Sequence, residues 1–204
     1  MVLAVNVAVK LGSTSRPSSP TELDEFTLAR AQRGDARARR ALVERYQRPV
    51  FAILSRMLHG EDRDLVEDLA QDTFLRVFRA LDRFDRDGSA RLSTWILTIA
   101  SRRAIDELRR RKPRKASLDQ LQPIAGAASA DLLIRRKILA EHLRLAIADL
   151  SPVHRAAFLL REFHELSYEE IAESLEIDLG TVKSRLSRAR AALRSKLAEV
   201  YHAS

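Results

Sequence analysis

Apolar residues return every three or four positions through most of this chain, and no segment shows the strict alternation of a strand. A first helix is predicted from the Thr21, Glu22, Leu23, Asp24 start to about Arg33, where Gly34 and Asp35 break it. Leu42, Tyr46, Val50, Ile53, Leu54 and Met57 place a second over 36–58, with a bend expected at Pro49 and an end at His59 and Gly60. The widest apolar stripe, Leu65, Val66, Leu69, Ala70, Thr73, Phe74, Val77, Phe78 and Leu81, predicts a third over 62–84. A loop over 85–92 carries Asp87, Gly88 and Ser89. The fourth helix follows over 93–111, with Leu92, Trp95, Ile96, Ile99 and Ala100 as its buried edge, and stops before Pro113. Trp95 falls in that apolar register and is expected in the core rather than on a stacking surface.

The pattern then lapses. Between Pro113 and Ser129 the chain is rich in basic and small residues and carries two prolines, which marks a linker over 113–130. Four more helices are predicted beyond it, over 131–150, 152–163, 168–175 and 181–200. Ser151 stands as an N-cap before Pro152, and Ser167 to Glu170 spells a capping box. The fold class is all-α: two small helical domains joined by a flexible linker. Residues 1–20 are expected to be a disordered leader, 21–112 the first domain and 131–204 the second.

Composition narrows the partners. The 204 residues carry 36 Lys and Arg against 28 Asp and Glu, a net charge of +8 that favours a polyanion such as nucleic acid. Cysteine is absent, which excludes disulfides and thiolate metal sites. His59, His142, His154, His164 and His202 show no metal-site spacing. No cofactor is expected, and no metal. The first residues are too short an apolar run for a membrane span and lack a basic start, so the protein is expected in the cytoplasm.

The strongest local signal lies between Leu166 and Leu197. A short helix holding Ile171, Ala172 and Leu175 is followed by a turn over 176–180 and then a longer helix, which is helix-turn-helix spacing. Glu165, Glu169, Glu170, Glu173 and Glu176 make the first helix acidic. Lys183, Arg185, Arg188, Arg190, Arg194 and Lys196 make the second basic, so the second should enter the groove. Val182, Leu186, Ala189, Leu193 and Leu197 share its core face. Thr181, Ser184, Arg185 and Arg188 share a face suited to base edges, and Lys183, Arg190 and Arg194 one suited to phosphates.

Three segments, in order, resemble the sigma-70 family of RNA polymerase sigma factors. Asp68-Leu69-Ala70-Gln71-Asp72-Thr73-Phe74-Leu75 resembles the segment that grips the polymerase clamp. Ser93-Thr94-Trp95-Ile96-Leu97, continuing through Ile99-Ala100 and Ala104-Ile105-Asp106, resembles the promoter-opening segment. The stretch from Leu179 to Arg190 looks like the end of the family's fourth region. The short span between the domains and the lack of an acidic N-terminal domain resemble the extracytoplasmic-function (ECF) subfamily. The chain departs from relatives at Arg102, where Asn is frequent, and at Asp178, where Pro is.

The resemblance implies a promoter-directing subunit without enzymatic activity and without a small-molecule substrate. Its partners would be core RNA polymerase, gripped at the clamp of the largest subunit, and promoter DNA. An anti-sigma factor is common in the family, though no residue here encodes one. Polymerase binding is expected from Asp68, Gln71, Asp72, Phe74 and Leu75. Contact with the −10 element is expected from Arg102, Asp106, Arg109 and Arg110, with the 85–92 loop holding an unstacked base. Contact with the −35 element is expected from Thr181, Lys183, Ser184, Arg185, Arg188 and Arg190. A plain helix-turn-helix repressor or activator is the rival reading. It predicts a dimer and a palindromic operator, and leaves the Asp68 to Leu75 face without a role. An enzyme is the third and poorest, since no phosphate loop, metal set or nucleophile motif is present.

Overall fold

The structure, a computed structural model, describes residues 22–86, 88, 90–111 and 128–202, with side chains over 138–198 in the last of these. The leader and most of the linker lie outside the described residues. Every regular element among those described is helical: α1 Glu25–Gln32, α2 Ala36–Met57, α3 Arg63–Ala80, a 3₁₀ turn Leu81–Arg83, α4 Leu92–Arg110, α5 Ala128–Ala148, α6 Pro152–Glu162, α7 Tyr168–Leu175 and α8 Leu179–His202.

In the first domain, α1 to α4 close around Leu42, Tyr46, Ile53, Leu54, Leu81 and Ile96, each almost wholly buried. Asp24 and Asp35 start α1 and α2 by accepting from the amides of Thr27 and Ala38. Gly34 (φ 88°) and Gly60 (φ 85°) make the following turns in a left-handed conformation that costs other residues a clash. α2 runs without a break through Pro49, whose ring is buried. The predicted third helix ends early. Gln32 Nε2 of α1 donates to the Leu81 and Phe84 carbonyls, and the last turn tightens to 3₁₀ there. Trp95 leans on Phe84 with ring centroids 5.1 Å apart, a packing role.

Glu22 anchors the start of α4. Its carboxylate accepts from the Ser93 amide (3.3 Å) and hydroxyl and from Tyr46 Oη (3.1 Å), supplying the negative charge that a helix N-terminus favours.

In the second domain, α6, α7 and α8 enclose Phe158, Leu159, Ile171, Val182, Leu186 and Leu193, all fully buried, and α5 packs along α8. The Ser167 capping box is formed as expected: Ser167 Oγ accepts from the Glu170 amide, and Glu170 accepts from the Ser167 amide. Ser151 makes no side-chain cap. Its hydroxyl bonds His154 Nδ1 at 2.9 Å.

The two domains also touch. α4 packs on α6 and α7, and α2 on α5 and α6. Arg155 of α6, buried, donates to the Met57 carbonyl at the end of α2, to the Ala148 carbonyl at the end of α5 and to the Leu150 carbonyl just beyond it. A cation thereby meets the negative ends of two helices, one from each domain.

Candidate nucleic-acid interface

The turn between α7 and α8 is built by two residues. Glu176 ends α7 in a left-handed conformation (φ 52°, ψ 51°). Asp178 then opens α8: one carboxylate oxygen accepts from the Thr181 amide (2.7 Å), the other from the Thr181 hydroxyl (2.5 Å). These two bonds hold the Asp178 carboxyl below its ordinary pKa. The cap starts α8 at Leu179, two residues before the predicted start. Gly180 fits beneath it, since a Cβ there would sit 3.0 Å from Asp178 Oδ1.

Along α8 the inner face is the predicted one. Val182, Leu186, Ala189 and Leu193 are fully buried and Leu197 nearly so. Lys183, Ser184 and Arg188 are exposed, and Thr181 and Arg185 partly so, which leaves an open polar row at the helix N-terminus. Arg190 is turned inward instead. Its guanidinium donates to Glu162 at 2.7 Å and to Tyr168 Oη at 3.5 Å, bracing α8 against α6 and the start of α7. His154 of α6 lies near this row, and burial, then Arg188 and Arg185, lower its pKa.

On α4 the exposed residues of the expected set are Asp106, Arg109 and Arg110, with Asp106 3.7 Å from Arg103 and Arg110 paired to Glu107 at 2.9 Å. Arg102 is engaged elsewhere. Its guanidinium donates to the Ser174 carbonyl (2.8 Å), the Glu173 carbonyl (3.3 Å) and the Glu176 carboxylate (2.8 Å), all at the C-terminal end of α7. The sequence pattern carries no sign of this, because an Arg on a basic helix face has the same signature whether it meets DNA or a helix end.

The α3 face is open where expected. Asp68, Gln71 and Leu75 are exposed at i, i+3 and i+7, and Leu75 keeps 54% of its surface. Asp72 flanks them and accepts from Arg103 (2.5 Å) and Arg76 (3.0 Å). Burial raises its pKa, but these two hydrogen bonds outweigh burial and leave it lowered. Phe74 points the other way, into the core.

An open cleft of about 430 Å³ lies between α1 and the loop before α4, lined by Leu23, Leu28, Phe84, Arg86, Gly88 and Arg91 among others. Its lining mixes apolar Leu23, Leu28, Phe84 and Leu92 with two arginines, Arg86 and Arg91, and two acids, Glu22 and Glu25.

The family model for sigma-70 region 2 matches residues 42–114, and that for sigma-70 region 4 matches residues 140–193. The chain is 35% identical to the ECF RNA polymerase sigma-E factor of Escherichia coli K12 over 184 residues, covering 85% of this chain and 94% of the relative. This chain belongs to the ECF subfamily of sigma-70 RNA polymerase sigma factors. It is also 34% identical to the RNA polymerase sigma-H factor of Pseudomonas aeruginosa over 182 residues, 84% of this chain and 92% of that one. CnrH, solved in complex with the cytosolic domain of CnrY, superposes with a TM-score of 0.60 at 28% identity, covering 86% of this chain and 97% of CnrH. RpoE of Bartonella quintana, solved with the anti-sigma factor NepR, shares the fold at a TM-score of 0.54 and 23% identity, covering 78% and 95%. As a sigma factor the chain serves transcription initiation, and its two all-helical domains are those the two family models describe. No described helix is long and apolar enough to cross a membrane.

Proposed function

We propose that this sigma factor works through four surfaces, without catalysing a reaction itself, in the cytoplasm where polymerase acts. The Asp68, Gln71 and Leu75 face of α3, with Asp72 at its edge, docks on a basic helical surface of the polymerase clamp. The Asp106, Arg109 and Arg110 end of α4, joined by Arg102 once it is free, addresses the −10 element. The cleft beside Arg86 and Arg91 takes an unstacked base of that element. The N-terminal row of α8 enters the −35 major groove, with Arg185 and Arg188 on base edges, Thr181 and Ser184 beside them, and Lys183 on phosphate. A protein partner such as an anti-sigma factor would cover some of these surfaces, in keeping with the similarity to CnrH, which was solved in complex with the cytosolic domain of CnrY.

The observation that carries this reading is the exposed acidic and leucine row on α3. A repressor that met DNA alone would have no use for it, whereas an acidic, hydrogen-bonding row is complementary in charge to a basic helical partner. The test is the Asp68→Ala/Gln71→Ala double variant assayed for binding to core polymerase. Both side chains are exposed, so folding should be intact and core affinity should fall by tenfold or more. Unchanged core affinity would remove α3 from the docking surface.

A further inference from the structure

His154 stands beside the α8 row, on the third residue of α6, and lies outside the apolar core. Helix α6 packs along α8, which brings the ring within charge range of Arg185 and Arg188. The ring keeps part of its surface, and the Ser151 hydroxyl holds Nδ1 at 2.9 Å. Ser151 makes no side-chain cap on α6, so its hydroxyl is committed to the ring. A hydroxyl that accepts from Nδ1–H fixes the imidazole and leaves Nε2 for a second partner. Among the described residues Nε2 makes no hydrogen bond.

The charges around the ring are one-sided. Arg188 and Arg185 face it from α8. Arg155 on its own helix is turned to backbone carbonyls, and Asp149, just past α5, holds Lys196 at 2.6 Å. Beyond Arg185 stand Arg109 of α4 and Asp178. No carboxylate among the described residues offsets the two guanidinia at the ring. Partial burial first, then Arg188 and Arg185, hold the imidazole below its ordinary pKa, so in the free chain it is mostly neutral near pH 7.

A DNA backbone reverses that balance. Arg185 and Arg188 find acceptors on the duplex, and a phosphodiester oxygen at Nε2 favours the imidazolium, which donates from both nitrogens. We propose that His154 is a further −35 contact: as imidazolium it holds a backbone phosphate beside the groove that the α8 row enters, and binding takes up a proton from solution. The inference rests on the assignment of the α8 row to the −35 element. DNA raises the pKa from its lowered free value, so as pH falls the complex takes the proton first. The extra affinity is fully present below the free-chain pKa and is lost as pH rises through the raised pKa of the complex, at up to about tenfold per pH unit between them.

The test is fluorescence anisotropy of the full-length protein on a −35 duplex at fixed salt, from about pH 8 down to about pH 6. Affinity of the native chain should rise about threefold or more over that range. His154→Gln keeps a neutral hydrogen-bonding side chain; it should match the native chain at the alkaline end and lose the rise. His154→Arg, a permanent cation, should bind equally well at both ends and about threefold more tightly than His154→Gln. Calorimetry in two buffers of different ionisation enthalpy counts protons: the native chain should take up a fraction of a proton near pH 7 that His154→Gln does not, a readout that a packing role would leave unmoved. A native pH slope in His154→Gln, or no proton uptake by the native chain, would overturn the proposal. Should the variants fold poorly, an NMR titration of the His154 ring in the native chain decides alone: its pKa should rise on adding duplex, and an unchanged pKa would overturn the proposal. Arg188→Ala separates this from the −35 reading. A several-fold loss of duplex affinity there, with a native slope in His154→Gln, sinks the role of His154 alone. Unchanged affinity in Arg188→Ala removes the α8 row from the −35 element and takes the proposal with it.

Discussion

Single residues at the domain boundary set its electrostatics. His164 is buried, has no hydrogen-bond partner for Nε2 among the described residues, and stands near Arg56, whose guanidinium stacks 4.6 Å from the Phe163 ring. Burial, then Arg56, push its pKa down to about 4. A folded-state pKa below the unfolded value near 6.5 means the unfolded chain takes the proton first. The stabilisation is therefore complete above about pH 6.5 and is lost as pH falls from there toward 4, on the order of 3 kcal/mol in all. Urea midpoints measured across that range should fall steeply for the native chain and much less for His164→Leu. Equal slopes would show that another group titrates. Sequence marked His164 only as an ordinary histidine. Its enclosure arises because Phe163, Arg56 and the α2 end converge there, and no periodic pattern links it to α2.

At the scale of elements, periodicity and capping chemistry carry most of the assignment. α7 begins and ends where Ser167 and Leu175 place it, and α8 presents the predicted inner face. The misses are local and have causes. The tail of α3 becomes 3₁₀ because the Gln32 side chain of α1, distant in sequence, takes its carbonyls. α8 starts early because Asp178 caps it, where a pattern-based boundary followed Gly180. Arg190 and Phe74 were legible as residue types suited to contact, but not as side chains pointing inward. Since the Asp178 cap fixes the α8 N-terminus that carries Thr181, Ser184 and Arg185, Asp178→Ala should weaken binding to −35 duplex several-fold. The cap needs the ionised carboxyl, so in the native chain that advantage is present above the ordinary carboxylate range and fades as pH falls below it. Electrophoretic mobility shifts with a −35 fragment check this, and equal affinity of the variant and native chain would show that the cap does not position the row.

The whole molecule is where sequence reasoning reached least far. Two domains and a linker follow from composition, but their contact does not. Arg102 reads as a DNA-facing residue, and the acids of α7 read as repelling phosphate, when the structure pairs the two. That pairing is consistent with one account of the molecule: separate promoter readers, each weak alone, gain affinity once core polymerase fixes their separation. The most direct measurement is run-off transcription with purified core polymerase on a promoter-fragment library, with and without this protein. The account predicts new start sites that need the protein and carry paired upstream and downstream elements. No new start sites, with tight sequence-specific DNA binding by the protein alone, would contradict it.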